Sequence, residues 1–243
     1  MRVFSYVLFF LCSFGLSAME NNKPNPTNYP DHTLWGNLLQ KHVDDLGNVN
    51  YKAFKADNDK LETYLNNLAK NSPTDAWSKE EKLAYYINLY NAATVKLITD
   101  NYPLKSIKDL KNPWDKEWVK VGSQTYSLGD IEHKILRKMN DPRIHFAINC
   151  ASYSCPKLVN VAYMPKTLES QLAKATSDFI NDASKNNIKT NKLLLSNIFK
   201  WYKGDFTENG SLIDYIQQYT KVALKANSKI NYLEYDWSLN ETK

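Results

Sequence analysis

The sequence predicts an α+β fold: a helix-rich single domain around a small, mainly antiparallel sheet, with one central buried helix. Three observations carry this. A capped, strongly apolar helix signal begins at Ser78, short alternating segments are interleaved with amphipathic ones, and no regular βαβ rhythm joins them. The composition agrees. At 243 residues, 43% apolar and 23% charged, with a mean hydropathy of −0.54, the chain is neither collagen-like, coiled-coil nor wholly disordered.

Ser78-Lys79-Glu80-Glu81 has the form of a capping box, and Leu83, Tyr86, Ile87, Tyr90, Thr94, Leu97 and Ile98 follow at helical spacing. Leu83 to Val95 is apolar almost all round, which marks a buried helix. Asn88 and Asn91 interrupt it on one face, and buried amides need partners, so the pair points to a shared polar network. Glu117 to Val121 and Gln124 to Ser127 flank Gly122-Ser123, a two-residue hairpin signal. A helix is expected from Leu128 to about Met139 on the stripe Leu128, Ile131, Ile135 and Met139, with Glu132 and His133 at its edge.

Asp141-Pro142 ends that helix, and Arg143 to Cys150 alternates as a strand with Ile144, Phe146, Ile148 and Cys150 on the core side. Arg143, His145, Ala147 and Asn149 take the other face, and Ala151 to Pro156 follows as a loop. Thr167 to Ile180 reads as an amphipathic helix and Lys192 to Leu195 as a short strand. Ser196 and Ser211 read as caps of later helices, and Asn231 to Leu239 as a terminal strand with Leu233, Tyr235 and Trp237 on one face.

Met1-Arg2, the mostly apolar run Val3 to Leu16 and the small residues around Ser17 and Ala18 form a signal-peptide pattern over residues 1–18. The run is shorter than the roughly 18–20 residues of a membrane span, and no second run of that length follows. Residues 19–33, with three prolines, read as a polar linker, and 34–243 as the domain. The expected location is therefore periplasmic or secreted, with no stable membrane span after cleavage. Net charge is +5 with lysines spread along the chain in no dense block of five to eight residues, so nucleic acid is not the default partner. Seven glycines, about 3% against a usual ~7%, disfavour phosphate-cradling loops. No Walker loop, dinucleotide fingerprint, HExxH or GxSxG occurs, so no cofactor is expected.

Cleavage would remove Cys12 and leave Cys150 and Cys155. With His133, His145 and Glu132 nearby in sequence, three chemistries stay open. Cysteine, imidazole and carboxylate are the parts of a thiol hydrolase: nucleophile, proton carrier and orienting group. A close cysteine pair in an exported chain also reads as a disulfide. The same histidines and cysteines are zinc-ligand types, although spacings of eleven, four and four intervening residues match no strong zinc signature.

RIHFAINCASYSCPKL (Arg143 to Leu158) resembles the bacterial branch of the domain of unknown function 547 family. YYINLYNAATVKLI (Tyr85 to Ile98), YPLKSIKDL (Tyr102 to Leu110), YSLGDIEHKILR (Tyr126 to Arg137), LSNIFKWYKGDF (Leu195 to Phe206) and YLEYDWSLN (Tyr232 to Asn240) extend the resemblance from about Gly47 to Asn240. The resemblance places Glu132, His133, His145, Cys150, Asn88 and Asn91 at signature positions. It favours Cys150 over Cys155 as nucleophile, because members outside bacteria can carry another residue at the second position. It further implies a papain- or transglutaminase-like cysteine hydrolase, although here the histidines precede the cysteine. The expectation is an exported hydrolase or amide transferase acting on peptide-like or cell-envelope amides. Cys150 is its nucleophile, His133 its base, and Glu132 or His145 the orienting or oxyanion-supporting group. Asn88, Asn91, Asn149 and Cys155 form the supporting network. The alternative is a non-catalytic extracytoplasmic binding domain with a Cys150–Cys155 disulfide or a small zinc site. The sequence does not give the oligomeric state.

Overall fold

The computed structural model describes residues 29–242; residues 1–18, expected to form a signal peptide and carrying Cys12, and residues 19–28 of the expected linker lie outside the described residues. The organising element is the helix α4 (Lys79–Asn101). Its cap forms as the sequence requires: the Glu81 backbone N–H donates to Ser78 Oγ, and the Ser78 N–H donates to the Glu81 carboxylate. From Leu83 to Val95 every residue but Tyr86 is buried, Asn88 and Asn91 included. Against it pack α2 (Tyr51–Phe54) and α3 (Asn58–Lys70), and α1 (Thr33–His42) packs on those two, the three contributing Trp35, Leu39, Phe54, Leu61, Tyr64 and Leu68.

Tyr29 and His32, just before α1, join this core: the buried His32 ring lies between the Tyr29 hydroxyl at Nε2 (2.7 Å) and the Tyr64 hydroxyl at Nδ1 (2.6 Å). Burial lowers the imidazole pKa to about 4, from the usual 6.5. The unfolded chain therefore takes up a proton that the folded chain refuses between about pH 6.5 and 4. Stability is expected to fall by about 3 kcal/mol as pH drops through that window. Urea midpoints measured at pH 7 and pH 4.5 on wild type and His32→Gln check this, and a pH dependence unchanged by the substitution contradicts it.

The hairpin forms between β1 (Val119–Val121) and β2 (Gln124–Tyr126), paired Val121 to Gln124, with Gly122 at φ +59° supplying the left-handed turn residue. The expected helix after it is wound differently. Asp130–Ile135 is a π-helical turn and Leu136–Met139 a 3₁₀ turn ending at Asn140, φ +52°. The extra residue per turn rotates the stripe, so Leu136 rather than Ile135 is fully buried and Glu132 turns inward at 6% exposure.

The strand expected over Arg143 to Cys150 does not form. Asp141 caps, and Pro142 opens, a 3₁₀ turn (Pro142–Phe146), after which residues 147–163 run without helix or strand. Ile144 to Asn149 are all buried, so alternation carried no information about faces there.

A second core gathers beyond this segment. The helix α5 (Leu168–Asn181) gives Leu168 and Leu172 to the first core and Ala175, Phe179 and Ile180 to the second. A three-stranded sheet of order β3 (Asn187–Lys189), β4 (Lys192–Leu195) and β5 (Lys229–Tyr232) pairs antiparallel at β3–β4 and parallel at β4–β5. The short helices α6 (Ile198–Trp201), α7 (Lys203–Phe206) and α8 (Leu212–Gln217) complete it, α8 with the expected Ser211–Asp214 capping box. Phe146 enters this cluster among Phe179, Phe199 and Phe206. The fold is thus α+β, a helix-rich domain with small sheets. The 147–163 segment starts at the seam, directly after Phe146 in the second core, and packs Ala147, Ile148, Ala151, Leu158 and Tyr163 into the first.

Candidate functional site

Two buried amides hold the seam segment in place. Asn91 donates through Nδ2 to the Ala147 carbonyl (2.9 Å) and accepts from the Asn149 backbone N–H (2.8 Å). Asn88 brackets Tyr163 in the same way, at 2.7 and 3.0 Å. Each side chain thus supplies the backbone pairing that a neighbouring strand would give. Asn149 continues the bracing, donating to the Pro156 carbonyl (2.7 Å) and accepting from the Ala151 N–H (2.8 Å). Ala151 is held at φ +59°, a left-handed conformation unusual for alanine.

That bracing presents Cys150 and Cys155, joined as a disulfide with Cα atoms 6.2 Å apart. Both line a cleft of about 300 Å³ together with Glu132, His133 and His145. The five candidate residues therefore meet, although they come from a π turn, a 3₁₀ turn and an irregular loop. A larger groove of about 920 Å³ lies across the 153–157 loop and shares only Cys155 and Pro156 with the cleft. The larger cavity is not the one that gathers the reactive groups.

His145 is the most tightly fixed of them. Its ring stacks on Tyr202 at 3.9 Å between centroids, and its Nε2 is 2.8 Å from Asp205 Oδ2. Asp205 in turn accepts both Nε (2.7 Å) and Nη2 (2.7 Å) of Arg137, a bidentate clamp. Those bonds from Arg137, then from His145, hold the Asp205 carboxyl far below the usual carboxylate range. His133 is different: its side chain is 51% exposed, Nδ1 lies 3.3 Å from Arg137 Nη1, and Glu132 Oε1 is 4.0 Å away. The buried Glu132 accepts from the Tyr90 hydroxyl at 3.3 Å. Burial, then the nearby Glu132, pushes the Tyr90 and Tyr202 hydroxyls well above their ordinary pKa.

The opposite wall is aromatic. Trp201, Tyr235 and Trp237 pack with centroids 4.6 to 5.8 Å apart, and Trp114 meets Trp237 at 5.6 Å. The tail after β5 delivers Tyr235 and Trp237, since the Tyr153 and Ser154 N–H groups donate to the Ser238 and Asp236 carbonyls (2.7 and 3.1 Å). The terminal strand expected to Leu239 is therefore a ladder only to Tyr232 and isolated pairings beyond.

The zinc reading does not hold. The thiolates it needs are joined to each other, and among the described residues no three His, Cys, Asp or Glu side chains are arranged for a metal ion. Sequence reasoning missed Asp205, Tyr202 and Tyr235 as site residues. Their one signal was membership of the stretches LSNIFKWYKGDF and YLEYDWSLN.

Fold and site together define a helix-rich α+β domain with a disulfide-closed loop facing a clamped histidine–aspartate pair. The family described as "Protein of unknown function, DUF547" matches over residues 74–180. The match contains Asn88, Asn91, Glu132, His133, His145 and both cysteines, while Asp205, Tyr235 and the Trp201–Trp237 wall lie beyond it. No curated protein and no solved structure matches the chain. The expected papain- or transglutaminase-like fold is not supported. Cys150 follows a 3₁₀ turn on an irregular segment instead of opening a helix, and α4 opens on the Ser78–Glu81 capping box with no cysteine in it. Among the described residues no helix is long and apolar enough to cross a membrane.

Proposed function

We propose that the chain is an exported cysteine-dependent hydrolase or amide transferase for peptide-like or cell-envelope amides, with Cys150 as the nucleophile once the Cys150–Cys155 disulfide is reduced. The observation that carries this reading is the convergence of Cys150 and the Asp205-held His145 on one cleft. Asp205 occupies Nε2, so Nδ1 is the nitrogen free to carry a proton. After reduction, His145 takes the Cys150 proton and the thiolate attacks the amide carbon. The leaving amine receives the proton, and water or a second amine resolves the thioester. His145 thus replaces His133 as base, because His133 lies half-exposed beside a guanidinium. Export fits the apolar run Val3 to Leu16 and a disulfide stable in an oxidising compartment.

Thiol labelling between pH 5 and 9 tests it. Neither Cys150 nor Cys155 is expected to label before reduction. Afterwards Cys150 is expected to label with an apparent pKa at least one unit below the unperturbed thiol value of about 8.5, and His145→Asn should abolish that lowering. An ordinary thiol pKa at Cys150, or full activity in Cys150→Ala on an identified amide, removes the reading.

The aromatic wall favours a second reading, a binding cleft in which Cys150–Cys155 is a staple. Tryptophan fluorescence quenched by an envelope glycan or peptide, equally in wild type and the double cysteine-to-serine variant, selects it.

A further inference from the structure

The two sulfurs of the disulfide have unequal surroundings. Cys150 is partly exposed to the cleft, whereas Cys155 is 5% exposed. Cys155 Sγ accepts the Cys150 backbone N–H at 3.0 Å and the Tyr235 hydroxyl at 3.2 Å. The Ser152 hydroxyl, on a fully buried residue, lies 3.1 Å from both the Tyr235 oxygen and Cys150 Sγ, and the Tyr235 hydroxyl lies 3.4 Å from Cys150 Sγ, so what sets Cys155 apart is the backbone N–H, the shorter Tyr235 contact and its deeper burial. Tyr235 is fixed between the Trp201 and Trp237 rings at 4.7 and 4.6 Å. Donors fixed in advance around one sulfur favour negative charge there, and a stabilised thiolate is the better leaving group in thiol–disulfide exchange.

We propose that Cys150–Cys155 is a thiol–disulfide exchange site, attacked at Cys150 Sγ by a small or peptide-borne thiolate entering the aromatic cleft, with Cys155 leaving. The incoming thiolate forms a new S–S bond to Cys150, and the electron pair of the broken bond passes to Cys155 Sγ under the Cys150 N–H and Tyr235 O–H. A second thiolate, from the same molecule or another, then attacks the substrate sulfur of the mixed disulfide and releases Cys150. Two substrate thiols are oxidised to one disulfide, and the chain's disulfide is reduced to two thiols. The wall of Trp114, Trp201 and Trp237 selects thiols carried beside apolar or aromatic groups. This activity needs no amide substrate, and so stands or falls separately from the hydrolase reading.

The test uses the oxidised full chain, reduced glutathione as probe, and iodoacetamide quenching within the first tenth of the reaction. Peptide mass spectrometry is expected to place glutathione on Cys150 and the alkyl group on Cys155, by at least twentyfold over the reverse. Tyr235→Phe keeps the ring but removes the donor, and should slow adduct formation about tenfold with far-ultraviolet circular dichroism and the urea midpoint unchanged. Equal adducts on the two cysteines, a preference for Cys155, or a folded Tyr235→Phe within twofold of wild type overturns the proposal. The position of the wild-type adduct decides the matter even if the variant fails to fold.

Discussion

Asp205→Asn is expected to lower unfolding stability by about 2–3 kcal/mol at pH 7, read as a shift of the urea midpoint at unchanged m-value. The carboxylate is 23% exposed and joins three donors, Nε and Nη2 of Arg137 and Nε2 of His145. The amide keeps the shape but removes the charge, stranding a guanidinium that is 32% exposed. The pH dependence separates this term from that of His32. Asp205 has a folded pKa far below its unfolded value, so its contribution is complete above about pH 5 and is lost as pH falls below about 4. Most of the His32 loss lies above that, between about pH 6.5 and 4, and it is the same in both proteins. The variant should therefore lose less stability than wild type between pH 4 and pH 2. A change under 0.5 kcal/mol at pH 7 would show that the Arg137–Asp205–His145 cluster contributes little to the fold.

Asn91→Ala is expected to cost more, about 3–5 kcal/mol. It leaves the Ala147 carbonyl and the Asn149 N–H buried without their partner, each worth roughly 1–3 kcal/mol, and adds a small cavity in α4. Because Asn149 braces Pro156 and Ala151, the damage should reach the cysteine loop. Native-state hydrogen exchange at Asn149 and Ala151 is expected to rise well before global unfolding. Asn91→Leu, which refills the volume and restores no hydrogen bond, should recover only part of the loss. Full recovery by leucine would show that packing, not pairing, is what Asn91 supplies.

The helix α4 was legible because two independent local signals agreed: a side-chain cap at Ser78 and an apolar surface too wide for any exposed helix. The hairpin was legible for a similar reason, since Gly122 sits where a left-handed residue is required. The segment from Arg143 to Cys150 misled because two-residue alternation marks a strand only when one face is polar. Here His145 and Asn149 are buried too, their polar atoms answered by Asp205 and by Asn91 and Pro156. Asp141-Pro142 ends one element and also caps the next turn, a double use that a single-residue signal does not reveal. Asp205 was out of reach because its partners lie 60 and 68 residues earlier, and no periodicity encodes that distance. The alternation of Tyr235 and Trp237 did place both on one face, but only tertiary packing made that face a wall of the cleft.

The pairing of residues 236–238 with the cysteine loop has a temporal consequence. Tyr235 and Trp237 follow every other residue of the cleft in chain order, and they are held there by backbone contacts to Tyr153 and Ser154. As the chain is made from its N-terminus, α4, both cysteines and the histidine–aspartate pair emerge with Trp114 and Trp201 but before Tyr235 and Trp237 complete the wall. Until that last segment arrives, Cys155 lacks the Tyr235 donor, and an oxidant meets the two cysteines without the shorter Tyr235 contact that helps set them apart. Maturation of the cleft is thereby coupled to completion of the polypeptide, and a chain released short of Tyr235 carries the reactive residues in an unfinished setting.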